Sequence, residues 1–184
     1  MKKIIAVSTI VLVLLVGCQN NENRILDTSN LREREMNNLT NTQKEKMPII
    51  YQALSVKEGL TALPFKMKLP KVLPFDALPF QPPTINDMSR DGKNLMVEFK
   101  TFSKGNSEKS IILMITAINS EEELDSSNSE EVKLNSGVTA YYTSNSLSFN
   151  SDGVSYNIAY TNGEIPKEQH KNEIMEIANQ MIEQ

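Results

Sequence analysis

The sequence predicts an α+β fold, an antiparallel meander sheet of about six strands with a C-terminal helix packed on one face. Three observations lead to this prediction. Apolar and polar residues alternate between residues 84 and 160, turn residues separate the alternating runs, and apolar residues recur at helical spacing near the C-terminus. Strands followed by a helix are typical of a sheet that is covered on one side.

The chain begins with a pattern typical of a secretory leader. Lys2 and Lys3 precede 13 mostly apolar residues, Ile4 to Val16, and the secretion machinery reads this order of charge and hydrophobicity. A helix that spans a membrane needs about 20 apolar residues. We therefore expect residues 1–17 to be a cleaved signal peptide and not a permanent span.

The leader ends in Leu15-Val16-Gly17-Cys18, which resembles the lipobox of bacterial lipoproteins. The resemblance implies that Cys18 receives a diacylglycerol thioether and that the mature protein is lipid-anchored to the outer face of the cell membrane. An ordinary signal peptide with an accidental cysteine is the alternative. Because Cys18 is the single cysteine, the chain can form no intramolecular disulfide and no cysteine-rich metal site.

The charge balance argues against polyanionic partners. Loss of the leader removes Lys2 and Lys3 and leaves 17 basic against 23 acidic residues, a net charge of −6. Nucleic acid is an unfavourable partner for such a surface, and binding to an anionic membrane surface through charge is equally unfavourable. Held near that surface by its lipid, the domain should be weakly repelled from it. We expect the covalent lipid to hold the protein at the membrane.

Composition divides the mature chain into a tether and a domain. Residues 18–47 are rich in Asn and lack aromatic residues, so they bury too little apolar surface to offset the entropy of ordering. We expect a flexible tether that reaches on the order of 30 Å. Residues 48–184 should form the α+β extracytoplasmic domain.

A short helix and a proline-rich segment open this domain. Ser55-Val-Lys-Glu58 is a capping-box pattern that predicts a helix ending before Pro64. Six of the eight prolines lie between Pro64 and Pro83, so residues 63–83 must follow an extended, turning path. We interpret this segment as a strap that buries its Leu and Phe side chains. An exposed proline-rich ligand for an aromatic groove is the alternative.

Six runs with strand character follow the strap, separated by turn signals. The third run is the most apolar and predicts a central strand, and the acidic stretch 121–131 after it predicts a solvated loop. The runs are Thr84 to Arg90, Asn94 to Phe102, Ser110 to Asn119, Val138 to Thr143, Ser146 to Asn150 and Val154 to Tyr160. The turns are Arg90-Asp91-Gly92-Lys93, Asn135-Ser-Gly137, Ser144-Asn145 and Asp152-Gly153.

The last segment predicts an amphipathic helix that covers the sheet. Pro166 suits the first turn of a helix, and apolar residues recur from Ile174 to Ile182 at helical spacing. His170, the single histidine, has the polar neighbours Gln169 and Lys171. We therefore expect it to be a surface residue, and without it no Ser-His-Asp or Cys-His arrangement can form.

No pattern in the chain predicts catalysis, a cofactor or a metal. The acidic residues from Glu121 to Glu131 lack the order of a calcium-binding loop, and no two carboxylates are singled out for glycoside cleavage. Tyr156 and Tyr160 should share one face of a strand with Ile158 between them. Core packing is the expected role of these rings, and a possible ligand face is the alternative.

Several short motifs lie between residue 68 and the C-terminus: Lys68-Leu-Pro70, Leu73-Pro74, Val132-Lys-Leu-Asn-Ser-Gly137, Leu147-Ser-Phe149, Asp152-Gly-Val-Ser-Tyr156 and Ile177-Ala178. In these motifs the chain resembles a domain of unknown function in Gram-positive lipoproteins and in the extracytoplasmic halves of anti-sigma-factor proteins. The resemblance implies an α+β extracytoplasmic module without an established reaction, and it assigns no site residues. The tryptophan that such domains carry near Phe149 is missing here.

Three functions are compatible with these patterns. The first is a non-enzymatic binding or sensory module that meets an envelope protein or ligand through its sheet. The second is a carrier of an apolar ligand or lipoprotein, and the third is a hydrolase that cleaves an envelope polymer with two carboxylates. The first is favoured because the chain combines a tether, an acidic domain and no catalytic pattern.

Overall fold

The computed structural model describes residues 25–37, 40–105, 110–135 and 137–183. The predicted leader, the lipobox residues Leu15, Val16 and Gly17, and Cys18 lie outside the described residues. Within the described ranges, no helix is both long and apolar enough to cross a bilayer.

The described residues form nine strands and three helices. The strands are β1 (Leu31–Glu33), β2 (Ile49–Ala53), β3 (Thr84–Asp87), β4 (Leu95–Phe102), β5 (Ile112–Ile118), β6 (Glu130–Lys133), β7 (Thr139–Tyr142), β8 (Ser146–Ser151) and β9 (Val154–Thr161). The helices are α1 (Asn41–Lys44), α2 (Val56–Ala62) and α3 (Lys167–Ile182).

All strands belong to one antiparallel sheet in the order β1-β2-β3-β4-β5-β9-β8-β7-β6. The predicted fold class is confirmed, but the sheet is larger than the six strands expected, and it is not a single meander. Two meanders, β1 to β5 and β6 to β9, join where β9 pairs with β5. The loop after β5 therefore carries the chain to the far edge, and its last residues, Glu130 and Glu131, belong to β6.

The N-terminal boundary of the domain lies earlier in the chain than the sequence predicted. Leu26 is buried in the core and its backbone N–H donates to the Gly92 carbonyl. Residues Leu31–Glu33 pair with β2 as an edge strand. The expected tether of residues 18–47 is wrong for these residues, because a single buried leucine and one strand pairing order a polar segment that looked unable to fold.

The strap of residues 63–83 follows an extended, turning path, as its prolines predicted, and it lies along the sheet and the last helix. Leu63 and Met67 are buried, and several other apolar side chains pack against the core: Phe65, Leu69, Leu73, Phe75 and Phe80. Its second half follows the outer side of β4, where the Leu78 and Gln81 N–H groups donate to β4 carbonyls. The strap therefore completes the core.

Helix α2 begins at the predicted cap. The Ser55 hydroxyl accepts the Glu58 N–H at 3.1 Å and donates to the Glu58 carboxylate at 3.0 Å. Gly59 permits a close approach, because a Cβ at this position would stand 2.2 Å from Pro83 Cγ. The end of the strap therefore packs directly against the backbone of α2.

Helix α3 covers one face of the sheet with Ile174, Ile177, Ala178 and Met181, all buried. Polar side chains fix its position at two further points. Lys171 Nζ lies 2.5 Å from the Glu130 carboxylate on β6, and Asn179 accepts the Asn135 N–H at 2.9 Å. The helix is therefore held over the half of the sheet that β6 to β9 form.

Candidate functional site

The sheet has one covered face and one open face. Buried and partly exposed side chains alternate along the strands and so point to opposite faces. In β4, Leu95, Val97, Phe99 and Thr101 are buried, and the residues between them are partly exposed. The register places one residue per strand in a row across the open face, and this row is mostly polar. Its members from β4 to β7 are Glu98, Thr116, Asn157, Ser148 and Tyr141.

At the Tyr141 end of this row, the acidic loop and the sheet enclose a wide, shallow cleft of about 590 Å³. Tyr141, Thr139 and Val138 line it from β7 and its preceding turn, and Asn150 lines it from β8. Loop residues form the opposite side: Glu122, Glu123, Leu124 and Ser126.

Hydrogen bonds to the sheet hold the start of this loop in place. The Glu122 N–H donates to the Ser155 hydroxyl at 2.6 Å, and the Asn150 amide donates to the Glu122 carbonyl at 3.0 Å. The Ser155 hydroxyl in turn donates to the Ser120 carbonyl at 2.8 Å. Hydrogen bonds between the loop, β8 and β9 therefore fix the rim of the cleft.

The residues of the cleft suit non-covalent binding. Tyr141 offers a partly exposed aromatic ring on which a flat or apolar group can stack. Asn150, Thr139 and Ser126 offer hydrogen-bonding groups, and the carboxylates of Glu122 and Glu123 favour a ligand with cationic or donor groups. Among the described residues, no group of three or more His, Cys, Asp or Glu side chains is placed to hold a metal ion.

Tyr156 and Tyr160 share one face of β9, as predicted, but it is the covered face. Tyr156 is buried and stacks on Phe149 with ring centroids 5.0 Å apart. Tyr160 is fully buried between Phe75 and His170, at 5.9 and 4.9 Å. The possible ligand face at Tyr156 and Tyr160 is therefore occupied by core packing, and the partly exposed ring that lines the cleft is that of Tyr141.

Burial also changes the ionisation of these two phenols. Burial raises the pKa of Tyr156 to about 12, and the nearby Asp152 carboxylate adds to the effect. Burial, followed by a 2.6 Å hydrogen bond to Glu173, raises the pKa of Tyr160. Both rings remain neutral at physiological pH, as buried structural tyrosines require.

His170 is buried and not a surface residue, which corrects the prediction from its polar neighbours. It occupies the first inward-facing position of α3, four residues before Ile174. Its imidazole contacts the Tyr142 hydroxyl and the Tyr160 carbonyl, at 3.1 and 2.7 Å. These contacts join α3 to the sheet on the face opposite the cleft.

No protein-family model matches the chain, and searches of characterised proteins and of solved structures also found no match. The resemblance to an extracytoplasmic domain of unknown function therefore stays a prediction. The open face and its cleft are the basis for assigning a function.

Proposed function

We propose that this chain is a membrane-anchored, non-enzymatic binding or sensory module of the cell envelope, which meets a protein or envelope ligand through the open face of its sheet. The observation that carries the proposal is the cleft between Tyr141 and the acidic loop. Its walls combine an aromatic ring, neutral polar groups and carboxylates. Such a mixture suits the recognition of a polar or cationic surface.

The anchoring half of the proposal is supported by Leu15-Val16-Gly17-Cys18 behind an apolar leader. We expect Cys18→Ala to abolish acylation and to move the protein from the membrane to soluble or unprocessed fractions. Intact-mass measurement of the wild type and the variant, after membrane fractionation, checks this. An acylated membrane protein without Cys18 would contradict the proposed anchor.

The binding half is tested in cells with a photo-crosslinking residue at position 126, inside the cleft. Position 78 is the control, because Leu78 is 46% exposed and lies on the strap, outside the cleft. We expect a defined crosslinked product from position 126 only, and we expect Tyr141→Ala to reduce its yield several-fold. Equal products from both positions, or a yield unchanged by Tyr141→Ala, would refute binding at the cleft.

A further inference from the structure

Three exposed apolar side chains lie around the hairpin between β3 and β4. Ile25, Met47 and Met88 are 56%, 39% and 47% exposed, and they account for three of the seven large apolar side chains exposed among the described residues. Ile25 lies against Gly92 in the hairpin, and the Met47 carbonyl accepts a 2.7 Å hydrogen bond from Arg90. We call this surface, residues 25, 44–47 and 88–93, the hairpin patch.

The hairpin patch is locally basic in an acidic protein. Lys44, Lys46, Arg90 and Lys93 outnumber Glu45 and Asp91 in residues 44–47 and 88–93, whereas the whole chain carries a net charge of −4. Two further carboxylates border the patch: the exposed Asp27, and Asp87, which is buried and accepts the Gly92 N–H. Arg90 also binds the Lys44 carbonyl at 2.9 Å, so it holds these two segments together. Apolar side chains surrounded by cations are suited to the interface of an anionic bilayer.

The length of the chain before Ile25 brings this patch close to the membrane. Cys18 stands seven residues before Ile25, and seven residues reach at most about 25 Å in any conformation. Since Leu26 is fixed in the core beside Gly92, the anchored end leaves the domain at the hairpin. A lipidated Cys18 therefore holds Ile25, and with it the hairpin patch, within about 25 Å of the bilayer surface.

We propose that the hairpin patch docks on the membrane, with Ile25, Met47 and Met88 in the headgroup region and the lysines on anionic lipid phosphates. This proposal rests on the proposed lipid anchor. The acidic loop starts beside the hairpin, where the Asn119 amide donates to the Lys93 carbonyl, and then crosses to β9 and β8, of which β8 lies three strands from β4, about 14 Å away. Repulsion of that loop tilts the domain onto its hairpin corner, so that the cleft stays open to solvent beside the membrane.

A depth measurement on the acylated full chain tests the docking. The thioether blocks Cys18, so a cysteine introduced by Met88→Cys can be labelled alone with a nitroxide. Leu78→Cys is the matched control, since Leu78 is 46% exposed and pairs with Phe102 at the opposite end of β4. The labelled proteins are reconstituted into vesicles of phosphatidylcholine and phosphatidylglycerol, and spin relaxation by an aqueous nickel chelate is measured.

We expect the label at position 88 to collide several-fold less with the chelate than the label at position 78, and only when vesicles are present. Equal collision rates on acylated protein would overturn the docking and leave the anchor intact, whereas absence of the acyl chains by mass measurement would overturn both. Protection of position 88 without vesicles would overturn lipid as the occupant and indicate a second copy of the chain.

Charge reversal gives a second readout. Lys93 and Lys104 are similarly exposed lysines, and each bridges one carboxylate, Asp91 and Asp76 respectively. In the labelled Met88→Cys protein, we expect Lys93→Glu to weaken the protection of the label from the nickel chelate by about five-fold or more. We expect Lys104→Glu to leave this protection unchanged. Equal effects of the two reversals would refute the electrostatic contribution.

Discussion

The Nε2 atom of His170 lies 2.7 Å from the carbonyl oxygen of Tyr160. A carbonyl only accepts, so Nε2 carries a hydrogen and donates it. In the neutral ring Nδ1 is then an acceptor, and the Tyr142 hydroxyl at 3.1 Å is its donor. One buried imidazole therefore connects α3 to β7 and β9 with both of its nitrogen atoms.

We expect His170→Leu to lower the free energy of unfolding by about 3 kcal/mol, because the Tyr142 hydroxyl and the Tyr160 carbonyl would remain buried without this partner. Gln169→Leu is the control, since Gln169 is the exposed neighbour in the same turn and should cost less than about 0.5 kcal/mol. Urea unfolding at neutral pH measures both. Similar losses for the two variants would show that the imidazole does not join helix and sheet.

A second prediction concerns the contact of α2 with the strap. Replacing a helical glycine by alanine normally stabilises a helix by about 1 kcal/mol. At Gly59 the new Cβ would stand 2.2 Å from Pro83 Cγ and 2.8 Å from Pro83 Cδ, so overpacking of about 1–3 kcal/mol should exceed that gain. We expect Gly59→Ala to lower the thermal unfolding midpoint.

The control for this contact is Gly163→Ala, where a Cβ would meet no atom within 4 Å. We expect its midpoint to equal or slightly exceed that of the wild type. Pro83→Ala should remove much of the penalty of Gly59→Ala, which a double-mutant cycle would detect. A stabilised Gly59→Ala protein would contradict the close packing of strap and helix.

A third prediction follows from the buried phenols. Unfolded tyrosine has a pKa of about 10, whereas burial raises the pKa of Tyr156 to about 12 and also raises that of Tyr160. The folded state therefore holds these protons more tightly. The stability that they contribute is complete below about pH 10 and is lost as the pH rises through the folded pKa values.

Urea unfolding at about pH 8 and about pH 12 measures this loss. We expect Tyr156→Phe to reduce the difference in the free energy of unfolding between the two pH values by about 2 kcal/mol, because a pKa shift of about two units corresponds to a free energy of roughly that size. Comparison with the wild type cancels the titration of groups that the variant retains. An unchanged difference would mean that Tyr156 ionises equally well in both states.

The long strands were predictable because alternation is a local pattern. β4 shows it over eight residues and β5 over seven, and their order in the chain places them side by side. β1 has three residues, of which Leu31 is half-buried and the others are exposed. Its place depends on pairing with β2 and on the burial of Leu26, and both contacts join distant parts of the chain.

The candidate site was less predictable than the fold. Tyr141 and Tyr142 are adjacent, so strand alternation alone requires one ring on each face of the sheet. His170 lies four residues before Ile174, on the same face of the helix, so its burial could have been predicted from the sequence. The crossing of the acidic loop over the open face could not be predicted, because it depends on hydrogen bonds from distant side chains such as Asn150.

The last prediction concerns the attachment of the strap to α3. The Gln180 side chain accepts the N–H groups of Lys71 and Val72 at 3.1 and 2.9 Å, and its amide donates to the Val72 carbonyl at 2.9 Å. One side chain thus pairs with the strap backbone as a neighbouring strand would. We expect Gln180→Ala to lower the free energy of unfolding by about 2 kcal/mol, since hydrogen bonds contribute about 1 kcal/mol each.

Hydrogen exchange separates this local attachment from global stability. In Gln180→Ala, the amides of Lys71 and Val72 should exchange several-fold faster, while the central strand β5 should change only as the global stability does. Gln180→Glu keeps the two accepting contacts and loses the donor to Val72, so its exchange rates should lie between those of the wild type and Gln180→Ala. Unchanged exchange at Lys71 and Val72 would mean that the strap is held by its buried Leu and Phe side chains alone.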